Sequence, residues 1–125
     1  MEQTWKGKKI LIAEDSEINF ILLKKNLESS GASILWAKDG QQMVDIVESQ
    51  DDIDLVLLDI SMPKIDGFTA TKMLRSAGYK TPIIVQSSFI SNDEIDLVFE
   101  AGCNDYISKP FLKDELISKI SALLQ

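Results

Sequence analysis

Histidine is missing altogether, cysteine occurs once, and no apolar run approaches membrane-spanning length. Without histidine the chain cannot carry a phosphohistidine of its own. The lone cysteine, Cys103, permits no internal disulfide and fits a reducing compartment. The opening residues Met1-Glu2-Gln3-Thr4-Trp5-Lys6 lack the apolar region of a signal peptide. A cytoplasmic protein with no membrane contact is therefore expected. A basic surface is lacking too: 20 acidic residues against 13 basic ones leave a net charge of −7. That balance argues against direct nucleic-acid binding, which needs cations to neutralise phosphates, and no further domain is expected beyond Gln125 to supply them.

What is present reads as one α/β domain. In 125 residues, a hydrophobic content of 45% is enough for a real core, and a charged content of 26% is that of a soluble globular chain. Lys9 to Ala13 and Leu55 to Leu58 are continuous apolar runs of strand length, the mark of strands buried on both faces of a parallel sheet. Further strands are expected at Ser33 to Ala37, after Pro82, and at Asp105 to Ser108.

Helical patterns fill the gaps. The first runs from Glu17 to Ser30 and stops at Gly31; the second starts at Asp39 with Gln42 in capping-box spacing and an apolar stripe of Met43, Val44 and Val47. Gly67 to Ala77 presents Ala70, Met73, Leu74 and Ala77. A fourth helix, capped by Ser91 with Glu94, presents Ile95, Val98 and Phe99 and stops at Gly102. A fifth presents Leu116, Ile117, Ile120, Leu123 and Leu124. Five such units without linker, repeat or low-complexity segment predict a doubly wound sandwich with right-handed crossovers. Residues 1–7 read as a lead-in and residues 8–125 as the domain.

Four residues then share one address. Glu14 and Asp15 close the first apolar run, Asp59 closes another, and Lys109 stands before Pro110 after the last short strand. In an open parallel sheet, ligands bind outside the carboxyl ends of the strands, so residues that close strands converge there. Three crowded carboxylates repel one another and their pKa values rise unless a cation sits among them. Magnesium suits the place, since it takes oxygen ligands from one or two carboxylates and keeps positions for phosphate oxygens. Asp15 or Ser16 also suits the N-cap of the following helix, and lysine before proline, taken alone, reads as a surface residue before a turn. A flavodoxin-like nucleotide binder shares the architecture, but the loop Glu14-Asp15-Ser16-Glu17 is no glycine- or hydroxyl-rich phosphate cradle.

The runs Ile12-Ala13-Glu14-Asp15, Leu57-Leu58-Asp59-Ile60-Ser61-Met62-Pro63, Ile65-Asp66-Gly67, Pro82-Ile83-Ile84 and Tyr106-Ile107-Ser108-Lys109-Pro110 resemble the receiver domain of two-component response regulators. The resemblance extends from about Lys8 to the C-terminus. It implies strand order 2-1-3-4-5, and it implies that Asp59 is the phosphoacceptor for a phosphoryl group delivered from a phosphohistidine. Glu14, Asp15, Asp59 and the backbone carbonyl of Ser61 would bind magnesium, and Lys109, with a cis peptide bond to Pro110, would hold the phosphoryl oxygens. A carboxylate is a legitimate covalent nucleophile, and phosphoryl transfer is catalysed mostly by positioning and by neutralising charge on the equatorial oxygens.

The resemblance also assigns a phosphoryl-binding and switch hydroxyl to Ser87, which the register after Pro82 favours over adjacent Ser88, and a switch aromatic to Tyr106; Ser87 equally suits an ordinary turn serine. A tyrosine at a strand end is also ordinary half-buried packing with a wet hydroxyl. Ser61 and Phe89 occupy the positions that flank the hydrolytic water in receivers; Phe89 equally suits an apolar loop residue packed on the fourth helix. A histidine kinase or histidine phosphotransfer protein is the implied donor. A downstream protein would read the surface made by helix four, strand five and helix five. A single-domain response regulator and the receiver of a hybrid histidine kinase both fit; the lead-in Trp5-Lys6-Gly7-Lys8-Lys9 and the segment Glu14-Asp15-Ser16-Glu17-Ile18-Asn19 look more like receivers of hybrid histidine kinases than like those joined to DNA-binding domains. A degenerate, constitutively binding receiver would have lost Asp59, the acidic pair or Lys109, and none is lost. An aspartyl-phosphate phosphatase of the haloacid dehalogenase kind carries a second acid two residues past its nucleophile, where this chain has Ser61.

Overall fold

The computed structural model describes residues 5–50, 52–60, 67–87 and 92–124. Strands β1 (Lys9–Ala13), β2 (Ser33–Ala37), β3 (Leu55–Asp59), β4 (Ile83–Ser87) and β5 (Asp105–Ser108) alternate with helices α1 (Glu17–Leu27), α2 (Gly40–Ser49), α3 (Gly67–Ser76), α4 (Asn92–Ala101) and α5 (Lys113–Leu124). All strands pair in parallel, in the order β2-β1-β3-β4-β5, as the family resemblance implies.

Both sheet faces are covered, which is why β1 and β3 read as unbroken apolar runs. Leu11, Val56, Leu58, Ile83 and Val85 point toward α2, α3 and α4, where they meet Met43, Val47, Leu74 and Val98. Ile10, Ile12, Leu55, Leu57, Ile84 and Ile107 point the other way, toward Leu23 and Leu27 of α1 and Leu116 and Ile120 of α5. Trp5, from the lead-in, joins that second layer and is itself buried; its backbone N–H donates to the Ser30 carbonyl at 2.7 Å. Among the described residues no helix is long and apolar enough to cross a membrane.

The helices depart from the sequence expectation in ways the local chemistry explains. α1 ends at Leu27 and passes into one 3₁₀ turn, Glu28–Ser30, where the Ser30 hydroxyl donates to the Leu27 carbonyl and competes with helix propagation. Gly31 then takes a positive φ of 86°, as its C-terminal position requires. At α2 the Asp39 carboxylate accepts from Gln42 N at 2.8 Å, but the return arm of the expected box goes one residue further, from Lys38 N to Gln42 Oε1.

α3 buries Gly67, Ala70, Thr71 and Leu74, so its buried face is rotated from the expected one. Met73 and Ala77 face out, and Thr71 goes inside because its hydroxyl donates back to the Gly67 carbonyl at 2.9 Å. Gly67 fixes this choice: a Cβ there would stand 3.2 Å from Ile60 Cα and 3.3 Å from Leu58 Cγ. α4 buries Val98 and Ala101 and leaves Phe99 exposed; its expected cap, Ser91, lies outside the described residues. Cys103 is buried beside Thr71, and burial pushes its thiol up, which keeps it unreactive.

Candidate functional site

The strand ends build the site. Glu14 follows β1, Asp59 ends β3, Ser87 ends β4, and Lys109 follows β5. Because β1, β3, β4 and β5 are consecutive neighbours, these four residues stand side by side along one edge of the sheet. Lys109 N donates to the Ser87 carbonyl at 2.7 Å, which ties the last two together, and the Lys109–Pro110 peptide is cis.

One carboxylate oxygen from each of Glu14, Asp15 and Asp59 lies within 4.8 Å of the other two. Glu14 is fully buried, Asp59 nearly so, and Asp15 faces solvent. Ser16 takes the N-cap of α1, its hydroxyl accepting from Asn19 N at 3.3 Å, and so settles the alternative between Asp15 and Ser16. Glu14 Oε2 accepts from Ser16 N at 3.3 Å. Glu14 Oε1 is buried with no hydrogen-bond partner, and Lys109 Nζ stands 3.6 Å away.

This crowding shows in protonation. Burial first, then the neighbouring Asp59 carboxyl, raises the Glu14 pKa from 4.5 to about 7, against the opposing pull of Lys109 and the Ser16 N–H. A buried carboxylate oxygen without a hydrogen-bond partner, set beside two further carboxylates, offers the oxygen ligands that a hard divalent cation takes. Glu14, Asp15 and Asp59 therefore fit magnesium.

Tyr106 is half-buried on β5. Its ring packs edge-on against Phe99 of α4, with centroids 6.3 Å apart, and Lys119 of α5 places its ammonium 5.6 Å from the ring centre. The aromatic thus sits on the surface shared by α4, β5 and α5. Ser61 and Phe89 lie outside the described residues.

Two residues at this edge escaped the sequence reading. Trp36 of β2 donates its indole N–H to the Glu14 carbonyl at 2.7 Å. Gln86, paired beside Asp59, is buried with both ends of its carboxamide unpartnered. It lines a cleft of about 290 Å³ together with Asn19 and Leu23 of α1 and with Lys109 and Phe111. The signal for Gln86 was available: it is a polar residue inside the apolar run Ile83–Ser87.

Fold and edge together define a doubly wound α/β domain whose carboxyl edge carries an acidic triad flanked by a lysine and a serine. Comparison with known proteins gives the class its name. The response regulator receiver domain family matches residues 10–121, and the chain belongs to it. It is a receiver domain, the phosphoacceptor module of two-component signalling.

The transcriptional regulatory protein CpxR of Escherichia coli K12 is 39% identical over 117 residues, covering 94% of this chain and 49% of that protein. The transcription factor SKN7 of Candida albicans is 38% identical over 112 residues, covering 90% of this chain and 20% of that one. The chain spans about half the length of the bacterial relative. Among solved structures, the receiver domain of sensor histidine kinase PA1611 from Pseudomonas aeruginosa PAO1, which has magnesium in its active-site cleft, is 32% identical. It superposes with a TM-score of 0.86, covering 94% of this chain and 98% of that one.

Proposed function

We propose that Asp59 is the phosphoacceptor and that Glu14, Asp15 and Asp59, with the Ser61 backbone carbonyl, hold magnesium beside it. The observation that carries this reading is the convergence of three carboxylates within 4.8 Å at the end of β3, with Lys109 Nζ 3.6 Å from the most buried of them. In the transfer, an Asp59 carboxylate oxygen attacks phosphorus in line with the departing imidazole of a phosphohistidine. One O–P bond forms, one N–P bond breaks, and the imidazole, already protonated on its other ring nitrogen, leaves as the neutral base. The Lys109 ammonium meets the negative charge on the phosphoryl oxygens. When bound, magnesium supplies the second cation for those oxygens and relieves the repulsion among the carboxylates.

The donor is a histidine kinase or histidine phosphotransfer domain in the cytoplasm, since these 125 residues hold no histidine of their own. The domain assists its own phosphorylation and dephosphorylation rather than turning over an external substrate. Phosphorylated Asp59 draws the Ser87 hydroxyl inward and Tyr106 follows, which changes the α4–β5–α5 surface for a downstream protein. Ser61 and Phe89 tune hydrolysis. With a net charge of −7, this domain makes no nucleic-acid contact of its own. The lead-in and the Pseudomonas receiver speak for a place in a hybrid histidine kinase; the E. coli and Candida relatives speak for a transcription regulator. The flanking coding sequence decides between them. Incubation with a small phosphodonor and magnesium, read by intact mass, tests the acceptor: the wild-type chain gains a phosphoryl group and Asp59→Asn does not.

A further inference from the structure

The loop that carries two of the three carboxylates is held from the neighbouring strand. Glu14 N donates to the Ala37 carbonyl at 2.9 Å, and the Glu14 carbonyl accepts from Trp36 Nε1 at 2.7 Å. The second bond has the greater reach. The Glu14 carbonyl belongs to the planar peptide unit that joins Glu14 to Asp15, so fixing its direction fixes the Cα atoms of both residues at once. An uncompensated change in the Glu14 ψ angle would turn that plane about the Glu14 Cα–C bond and swing Asp15 away from Asp59.

The indole is itself immobilised. Its ring stacks on Phe20 of α1 at 4.6 Å with 7° between the planes, and Lys38 Nζ lies 5.0 Å from its centre. Trp36 stands opposite Ile12 in the β1–β2 register, so one aromatic pair connects the edge strand, the start of α1 and the acidic loop. A small or aliphatic residue at this half-buried position would pack on Phe20 without reaching the carbonyl.

From these contacts we infer that Trp36 is a positioning residue for the metal site: its indole N–H sets the Glu14–Asp15 peptide plane and thereby presents both carboxylates to the ion. This rests on the reading of Glu14 and Asp15 as magnesium ligands. Groups that orient metal ligands in this way typically change metal affinity by 10- to 100-fold when removed.

Trp36→Phe keeps an aromatic body for Phe20 and loses only the N–H. Calorimetric titration with magnesium chloride is expected to give a dissociation constant about tenfold higher in Trp36→Phe than in wild type, with the variant folded by circular dichroism. Equal affinities overturn the inference. A wild-type chain that binds no magnesium overturns the metal reading instead, so the two failures are separate.

The wild-type chain offers a second readout that needs no variant. In a proton–nitrogen NMR titration with magnesium, the Trp36 indole signal is expected to move with the Asp15 amide. The Trp5 indole, before β1 at the other edge of the sheet, stays in place. A Trp36 signal that stays with Trp5 while Asp15 moves contradicts the coupling.

Discussion

The two edges of the sheet treat buried polar groups in opposite ways. At the amino edge, the Arg75 guanidinium donates to the carbonyls of Gly102 at 3.0 Å, Tyr79 at 2.9 Å and Thr81 at 2.8 Å, and to Asn104 Oδ1 at 3.2 Å. Asn104 Oδ1 in turn accepts from Ile83 N. One cation thus gathers the turns that lead into β4 and β5. At the carboxyl edge, Glu14 Oε1 and both ends of the Gln86 carboxamide are buried without hydrogen-bond partners, and three carboxylates crowd together around a single lysine among the described residues. The amino edge is satisfied and holds the fold; the carboxyl edge is left short of positive charge, which the proposed magnesium would supply.

Substitutions on the two edges should therefore act with opposite sign. Arg75→Met should cost the most, because it strips hydrogen bonds from three loop carbonyls at once: about 3 kcal/mol in urea unfolding, with phosphoryl acceptance retained in the folded chain. A loss no larger than that of an exposed surface substitution would remove the amino-edge half of the comparison.

Glu14 predicts a pH dependence of the metal-free protein. Its carboxyl titrates near 4.5 when unfolded and at about 7 when folded, so the folded state holds the proton more tightly. Stability is then greatest below pH 4.5 and is lost as pH rises through 7, by roughly 3 kcal/mol at most. Glu14→Gln should flatten this slope in thermal melts from pH 5 to 8, and saturating magnesium should offset it in wild type. A slope unchanged in Glu14→Gln would place the titrating group elsewhere.

Gln86→Leu should raise metal-free stability by about 1 kcal/mol, since an apolar side chain leaves no buried amide short of partners. A loss of stability would show that the carboxamide is satisfied after all. The smallest effect concerns Phe89. If it shields the phosphoryl group, Phe89→Glu should speed decay of the phosphorylated chain by a few-fold in excess magnesium, under about 1.4 kcal/mol of barrier. Equal decay rates leave Phe89 as packing.

The strands and the acid corner were legible because their signals are one-dimensional: unbroken apolar runs, and the rule that residues closing such runs meet at one edge. Glu14, Asp15 and Asp59 follow from that rule, whereas Lys109, after a short mixed strand, takes its role from the family resemblance. The helix faces were less legible, since apolar character does not say which of two neighbours goes inside. Met73 yields to Thr71 because Gly67 brings α3 against β3 and the threonine hydroxyl finds a backbone acceptor. Trp36 reads as an ordinary strand aromatic until its indole N–H is seen on a carbonyl 22 residues away. The site's shape therefore depends on a contact that no spacing along the chain announces.

The most direct measurement is intact mass spectrometry of the wild-type chain and Asp59→Asn after incubation with a small phosphodonor, with and without magnesium. One added phosphoryl group is expected on the wild-type chain, dependent on magnesium, and none on Asp59→Asn. An equal gain in the variant, or a gain in wild type that ignores magnesium, would contradict that expectation.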